Sequence, residues 1–484
     1  MGNWIDKLIG AISPEAGYQR EAWRQGLEEL RNYDAGSYGR LNANWTPQNI
    51  SAELTDCWQR DTVRARARDL ERNSDILNSV VGAYKRNVVG GGFNLQARTN
   101  SEEINQQIEA LWKLWTKKRN CDVTGVQSFN QMLRMAVERK KIDGGMLIHK
   151  CYTKDGILPF KLQCIEVDEL DSSQIQAKHQ GNSVIGGVEV NEYNKAMGYW
   201  IKQTSPDGID IGKSVFVPEK DMIYLFTKKR PSQIREMSDM TPTITRIRDA
   251  NEFMTAVSVK ERILSCLSVF IKRVLPGGVG RNGQQVQKYD YNGKTLTPGM
   301  IKNLNPGDDV IAINPSGQSG DATTFIKLMQ RMIGAGQGIS YEATSRDMSE
   351  SNYSSTRQGI IEDELTYTED VELITEVADE IYETFLISAV LAGKIQITDF
   401  WEHKEAYMEH EWIKAPKKWI DPLKESNANR IAMQTGQKTF QQIAAEAGRD
   451  WREQIDDMAT ALKYAQKKGV ELGGMLGYEK NKKS

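Results

Sequence analysis

Several stretches of this chain carry residue types suited to chemistry, and each misses on spacing or setting. Gly208-Ile209-Asp210-Ile211-Gly212-Lys213-Ser214 comes within one residue of a P-loop, whose backbone N–H groups cradle phosphates. Its glycines stand too close together, and strand-like segments flank it where the motif needs a strand then a helix. It therefore reads as a hairpin turn. Gly90-Gly91-Gly92 is a second candidate cradle, but it follows a helical stretch and lacks the Lys-Ser/Thr ending. A glycine stop of that helix accounts for it. Gly317-Gln318-Ser319-Gly320 misses the spacing of a nucleophile elbow. His149, His179, His403 and His410 are scattered, with no HExxH, and do not make a zinc set. Glu362/Asp363 and Asp456/Asp457 are sequence neighbours, hence on different sides of a helix, and read as solvated faces. Asn352-Tyr353-Ser354 fits a glycosylation acceptor, which carries no weight in a cytosolic chain. No catalytic constellation, metal set or cofactor site emerges, and the chain is not expected to be an enzyme.

Composition narrows the classes further. A chain of 484 residues has room for several cores, about two to four modules. Its 63 basic and 65 acidic side chains nearly cancel. A protein that grips nucleic acid through a basic face needs clustered Lys and Arg, so any such contact here must be weak and local. Cys57, Cys121, Cys151, Cys164 and Cys266 are odd in number and lack CxxC spacing, as expected of reduced thiols. The start, MGNWIDKLIGAISPEAG, has no basic-then-apolar signal pattern, so no export or membrane segment is expected. Gly2 is not followed by the Ser/Thr that a myristoylation site wants. The 11 tryptophans suit either subunit interfaces or core packing.

The rest of the chain is arranged around one stretch, Thr243 to Leu275, free of Pro and Gly. Pro242 precedes it and Pro276-Gly277-Gly278 stops it. As one helix it would run roughly 50 Å. A heptad stripe follows Ile247, Ala250, Met254, Val257, Glu261, Leu264, Ser268 and Ile271, and Ile263, Leu267, Phe270 and Val274 make a second apolar row. A helix apolar on two sides needs neighbours on two sides. A rod in a ring of identical rods meets that need, and so does a core helix of a large monomer. A membrane span does not, because the apolar run is about half of the ~20 residues needed and Lys260, Arg262, Lys272 and Arg273 flank it. Arg246, Arg248, Lys260 and Arg262 either touch phosphates or pair with Asp249, Glu252 and Glu261, and pairing is the expectation for most.

Before this helix, residues 1–58 are polar and turn-rich and expected to be partly irregular. Thr62–Arg86, Ile104–Trp115 and Phe129–Lys140 have helical periodicity. Short strands follow over 143–227, among them Gly145–Tyr152, Phe160–Ile165, Val184–Val190, Met197–Gln203, Val215–Val217 and Met222–Phe226, which makes the region α+β. Residues 276–322 are rich in Gly, Asn and Pro and read as a small tip of strands and turns. Thr323–Gly334 is a returning helix, 340–355 a polar loop, and Thr356–Leu391 a long helix. Lys424–Gly469 holds further helices, broken at Gly436 and Gly448. Out-and-back helices carrying a tip are unusual for an enzyme.

Read in order, these stretches resemble the lambda-type family of tailed-bacteriophage portal proteins. The similarity is carried by Arg68-Asp69-Leu70 to Asn73, then Asn87-Val-Val-Gly90-Gly-Gly-Phe-Asn-Leu95, and by Leu162-Gln-Cys-Ile-Glu-Val-Asp168. It continues through Gly186-Gly-Val-Glu-Val190, Met197-Gly-Tyr-Trp-Ile201, Val217-Pro218, Tyr224-Leu-Phe226 and Arg230-Pro-Ser-Gln233-Ile-Arg235. Where that family has Gly after the last arginine, this chain carries Glu236, so the turn departs from the pattern there. Ser340-Tyr341-Glu342, Asp347-Met-Ser349, Asn352-Tyr-Ser-Ser355 and Arg357 resemble the family's most specific motif. Trp419-Ile-Asp421-Pro-Leu-Lys424-Glu425, Gly436 and Gly448-Arg-Asp450-Trp451 resemble its C-terminal signature. Each match is weak alone, and the ordered set is specific.

The resemblance implies a portal-type α+β fold. Its parts would be a β-rich and helical wing (1–242, with a return of helix and strands at 358–425), a two-helix stem (243–275 and 323–339) and a small α/β clip (276–322). A tunnel loop (340–357) and a helical crown (426–484) would complete it. It implies a homo-oligomeric ring of about twelve subunits at one capsid vertex, assembled in the host cytoplasm, with double-stranded DNA threading the axis. Implied partners are the terminase large subunit, major capsid and scaffold proteins, and head-completion or tail adaptor proteins, with no membrane. Ile247, Met254, Val257, Leu264 and Ile271 would pack the stem. Ser345, Arg346, Asp347, Met348, Ser349 and Glu350 would face DNA, with Arg346 brushing phosphates while Asp347 and Glu350 weaken the grip. The other reading of Arg346 is a helix cap or a bridge between subunits. Two other classes stay open: a different phage ring adaptor, and a nucleic-acid-processing enzyme supported by the near P-loop.

Overall fold

A computed structural model of the chain describes residues 44–205, 210–265, 269–273, 308–312, 319–349, 352–414 and 422–470, with Asp207 and a few positions between 11 and 23. The chain divides into two units, Met1–Thr55 and Asp56–Ser484. In the first, residues 45–51 are irregular. The second carries the rest of this account.

Its helical layer begins with α1 (Arg60–Asn73) and α2 (Asp75–Val88), separated by Ser74. The Ser74 hydroxyl accepts the Leu77 N–H at 3.4 Å and starts α2 afresh. Ile76, Leu77, Val80, Val81, Tyr84 and Val88 form the buried stripe of α2 at helical spacing. The glycine run then ends it, as expected. Helix α4 (Phe129–Asp143) packs beside it, and α3 (Glu102–Trp115) contributes to the same core. The tryptophans here go to the core. Trp115 lies parallel to Phe160 at 5.3 Å and donates its Nε1–H to the Phe160 carbonyl at 2.9 Å, while Trp112 meets Phe385 edge-on at 4.9 Å.

Among the described residues the strands form four sheets. β2 (Gly145–Cys151) lies between β3 (Lys161–Ile165) and β8 (Met222–Phe226). A meander of β4 (Ser183–Ile185), β5 (Val188–Val190), β6 (Ala196–Thr204) and β7 (Asp210–Pro218) makes the second. Lys213 and Ser214 of the near P-loop lie inside β7, where Ser214 pairs with Lys202, so this segment is a hairpin and no phosphate cradle. The mixed helix-and-sheet class is as expected.

The long helix needs correction. Helix α5 covers Ile244–Ser265, and residues 266–268 lie outside the described residues. Val269–Arg273 is instead a strand, β9, paired antiparallel with β10 (Asp308–Ala312) so that Ile271 faces Val310. Val269-Phe270-Ile271 is short, β-branched and aromatic, and a continuous apolar run of that length fits either period. Ile271 is therefore no stem-helix position. Residues 274–307 and 313–318 lie outside the described residues, as does most of the expected tip. The returning helix, α6, is longer than expected, Ser319–Gln337.

The root of α5 sits in the chain's own core: Ile244, Ile247 and Ala250 are buried and Met254 packs partly on them. Val257 is half-buried, and Val259 beyond it is exposed. Further out Phe253 meets Phe325 of α6 at 4.5 Å, yet Phe325, Leu328 and Met332 remain 40%, 52% and 41% exposed. The Arg248 guanidinium pairs with Asp249 at 3.1 Å and Glu252 at 3.5 Å, as expected of the basic residues there.

After a short helix, α7 (Tyr341–Ser345), the chain runs through α8 (Tyr353–Leu391), 39 residues long. Its second half buries Ile374, Ala378, Ile381, Tyr382, Phe385, Leu386 and Ala389, and is the axle of the core. β11 (His410–Lys414) then pairs with β1 (Phe93–Ala97). Helices α9 (Pro422–Gln434), α10 (Phe440–Glu446) and α11 (Trp451–Lys468) follow, broken near Gly436 and Gly448 as expected.

Candidate channel loop and its anchorage

The polar loop between α6 and α8 is short, and its foot is tied down. Gly338 has φ +70°, the left-handed region that ends a helix without strain when the residue lacks Cβ. Its carbonyl accepts the Thr366 hydroxyl at 2.6 Å. The neighbouring Gln337 carbonyl accepts the Tyr84 hydroxyl, and the Gln337 amide donates to Thr243 Oγ1 at 3.0 Å and to the Asp239 carbonyl at 3.2 Å. One residue thus joins α2, α6 and the start of α5.

Ser340 performs two jobs. Its hydroxyl caps α7 by accepting the Ala343 N–H at 3.2 Å, and it donates to Asp363 at 2.7 Å, while its own N–H donates to the same carboxylate at 2.6 Å. Asp363, read from sequence as part of a solvated face, is buried. Burial pushes its carboxyl up, and the Ser340 donors pull the other way. Glu362 beside it is exposed. The far end of the loop is fixed by Asn352, whose side chain accepts the Ser355 N–H at 2.9 Å and starts α8.

Between these anchors lie the residues expected to face DNA. Ser345 turns its hydroxyl to the Tyr341 carbonyl at 2.8 Å. Arg346 closes α7 with φ +59°, a left-handed conformation rare for a branched-off side chain, and its N–H bonds to the Glu342 carbonyl at 2.8 Å. Its guanidinium is exposed. Its backbone thus closes a helix, which fits the helix-cap reading. Asp347 is not a projecting acid. Its carboxylate accepts the Ser349 N–H at 3.0 Å and the Tyr341 hydroxyl at 3.2 Å. Ser349, through hydroxyl and N–H, holds that carboxyl below the usual carboxylate range, with Tyr341 and Lys327 adding to it. Met348 is exposed. Glu350 lies outside the described residues.

A second polar centre, unforeseen from the sequence, ties the stem root to the wing. Glu236, the departure from the family pattern, is fully buried without left-handed backbone. Its carboxylate takes the Arg235 Nε–H and the Arg64 Nη1–H, each at 2.9 Å, and the Tyr224 hydroxyl. Arg235 also donates to the carbonyls of Gly186 and Val167. Burial works against the charge on Glu236, but the Arg235 guanidinium overrides it and holds the carboxyl low. One step on, Asp239 meets Lys140 at 2.8 Å, Lys229 at 3.0 Å and Lys141 at 3.4 Å, and Lys140 also reaches Asp370 of α8 at 2.6 Å. Arg64 and Arg68 of α1 are drawn inward onto Asp168 at 2.7 and 2.6 Å. Acidic residues spaced across a turn from arginines hint at such pairing, but the partners lie too far apart in sequence to be matched. Among the described residues no group of His, Cys, Asp or Glu is placed to hold a metal, and no helix is long and apolar enough to cross a membrane.

The sequence profile described as "Phage portal protein, lambda family" matches residues 38–369. The probable portal protein of Halomonas phage phiHAP-1 is 24% identical over 446 residues, covering 87% of this chain and 84% of that protein. The portal protein of Escherichia phage N15 is 22% identical, covering 88% and 90%, and portal protein B of Escherichia phage lambda is 21% identical, covering 88% of each. Solved chains from gene transfer agent particles align more loosely. One from the native virion covers 82% of this chain and 91% of its own length at a TM-score of 0.45 and 12% identity. One from the neck of the empty particle covers 77% and 90% at 0.45 and 14% identity. The chain belongs to the lambda family of phage portal proteins, the structural, non-catalytic connector of head and tail in the phage particle.

Proposed function

We propose that about twelve copies of this chain close into a ring at one capsid vertex, with double-stranded DNA passing along its axis during filling and ejection. In this reading α5 and α6 are the stem, β9–β10 begins the clip, 340–352 is the tunnel loop, the β-rich body with α8 is the wing, and 422–470 is the crown. The clip side would dock the terminase large subunit first and head-completion or tail adaptor proteins later. The wing would meet capsid and scaffold proteins.

The observation that carries the reading is the stem's uneven burial. Its root, Ile244 to Ala250, is satisfied within the chain, while Phe325, Leu328 and Met332 on α6 are left exposed. Apolar rows on a soluble helix pair that reaches beyond its own core fit copies standing side by side. Met254 and Val257, both half-buried, are the stem positions left for that contact, and the Leu264 side chain lies outside what the structure describes. Charge balance fits as well. Duplex DNA bears a charge per ~1.7 Å, so a channel of roughly 50 Å faces about thirty phosphates. A strongly basic lining would arrest DNA by counterion release, and a nearly neutral chain with isolated cations would let it slide.

Electron microscopy of the purified protein tests this through particle mass and axial symmetry. Rings with a central hole are the expected outcome. A protein that stays a lone subunit at high concentration, in every assembly condition, defeats the reading.

A further inference from the structure

The outward face of α8 carries acid along most of its length. From Gln358 to Leu391 the helix has ten acidic residues and no Lys or Arg, although the whole chain is nearly neutral. Ile374, Ala378, Ile381 and Phe385 define its buried face, and at 3.6 residues per turn Glu369, Glu372, Glu376 and Glu383 fall on the opposite side. Toward the C-terminal end of α8 the chain fills this face itself. Asp379 accepts the Trp412 Nε1–H at 2.6 Å, Glu380 takes Lys150 at 2.6 Å, and Glu383 takes Lys404. Glu369, Glu372 and Glu376 are exposed and have no partner among the described residues. Like charges three and four positions apart on a helix repel, so a bare row of this kind costs stability unless something covers it. The row borders a cleft, also lined by Lys228, which pairs with none of the three.

The complementary charge lies behind α8. On the buried side of that helix Phe385 meets Trp115 of α3 at 5.4 Å. Just past Trp115 the chain leaves the core, and Lys117, Lys118 and Arg119 stand exposed at a single helical turn, Lys118–Cys121. None of the three has a carboxylate partner among the described residues. Leu114 and Val123 near them are 48% and 41% exposed, and Leu365, one turn before Glu369 on the acidic row, is 65% exposed. The wing therefore presents a bare acidic strip on one flank and a bare basic cluster on the other. Patches on opposite flanks do not reach each other within one molecule. They do between copies related by rotation, the heterologous contact that closes a ring.

We propose that Glu369, Glu372 and Glu376 of one subunit receive Lys117, Lys118 and Arg119 of the next, so that neighbouring wings are joined by charge. This rests on the ring reading. A second copy is the occupant because the chain itself supplies the matching set: three bare cations for three bare carboxylates, each set with exposed apolar side chains beside it. The contact relieves the repulsion within each set and adds attraction across it. It also has a direction. Acid against base admits head-to-tail neighbours and rejects two copies that meet through like faces.

The test uses the full chain and follows ring assembly by sedimentation and electron microscopy across protein and salt concentrations. The variants are E369K/E372K/E376K, K117E/K118E/R119E, and a chain with both reversals. Each single reversal is expected to raise the protein concentration for half assembly about tenfold or more. Its lone subunits should keep the wild-type unfolding midpoint, since all six side chains are exposed. The chain with both reversals should assemble within about threefold of the wild type, because attraction returns with the signs exchanged. A fold defect does not recover in that way. Added salt should weaken wild-type assembly and improve that of the single reversals. Rings of either single-reversal chain at the wild-type concentration overturn the proposal. So does a doubly reversed chain that fails to recover, which would assign the acidic row to another protein of the particle. Wild-type protein that forms no ring removes the ring reading and this contact together, so the two failures are told apart.

Discussion

Arg64 and Arg235 near the stem root and Arg86 and Arg346 at the loop are the same side chain used in opposite ways. The first two are buried and reach Glu236, Asp168 and backbone carbonyls at hydrogen-bonding distance. The second two are exposed. A buried charge must be paired, so the first set locks elements together. An exposed charge has no such obligation. A single chain therefore locks its stem root with buried charge and keeps other arginines in water.

Breaking the buried set should have the largest effect. E236A leaves Arg235 and Arg64 in the interior without their shared carboxylate and should lower stability by about 3–5 kcal/mol. Urea unfolding measures it, and a loss under about 1 kcal/mol would erase the contrast between the two regions.

Acid should attack the same place next. The Glu236 and Asp239 carboxyls are both held low in the folded chain. Burial opposes this in each case, and Arg235 for Glu236, and Lys141, Lys140 and Lys229 for Asp239, prevail. A depressed folded pKa gives stability that is complete above the unfolded value of about 4 and is lost as pH falls through the folded one. The unfolding midpoint should accordingly be level above about pH 5 and drop below about pH 4, with D239N showing a shallower drop. Equal acid sensitivity in D239N would remove Asp239 from the lock.

A smaller effect is expected at the loop foot. S340A loses both the cap on α7 and the hydroxyl bond to Asp363, and should lower stability by about 1–2 kcal/mol while exposing the loop to proteolysis sooner. The smallest change sharpens the comparison from the other side. Arg346 has left-handed backbone, so R346G should raise stability by roughly 1 kcal/mol even as it loses the cation. Lower stability in R346G would mean that the guanidinium supports the fold, contrary to its exposed position.

Much of the architecture could be read from local pattern. The buried stripe of α2, the period-2 strands around Lys202–Ser214 and the glycine breaks near Gly436 and Gly448 each announce themselves within a few residues. Val269–Arg273 did not, because three consecutive apolar residues satisfy a helix and a buried strand equally. It took pairing with Asp308–Ala312 to choose. The loop is recognisable as a motif, but its anchorage is not: Asp363 has the sequence setting of a surface acid, and its partner Ser340 lies 23 positions earlier.

Hydrophobic spacing, turn residues and the ordered motifs were enough to establish the family and most elements, since each depends on neighbours along the chain. They could not tell which arginines are sunk in the interior and which stand in water. That depends on groups such as Arg64 and Glu236, 172 positions apart, being brought within 2.9 Å. A charge is stable in the interior only beside its partner, and folding alone determines who the partner is.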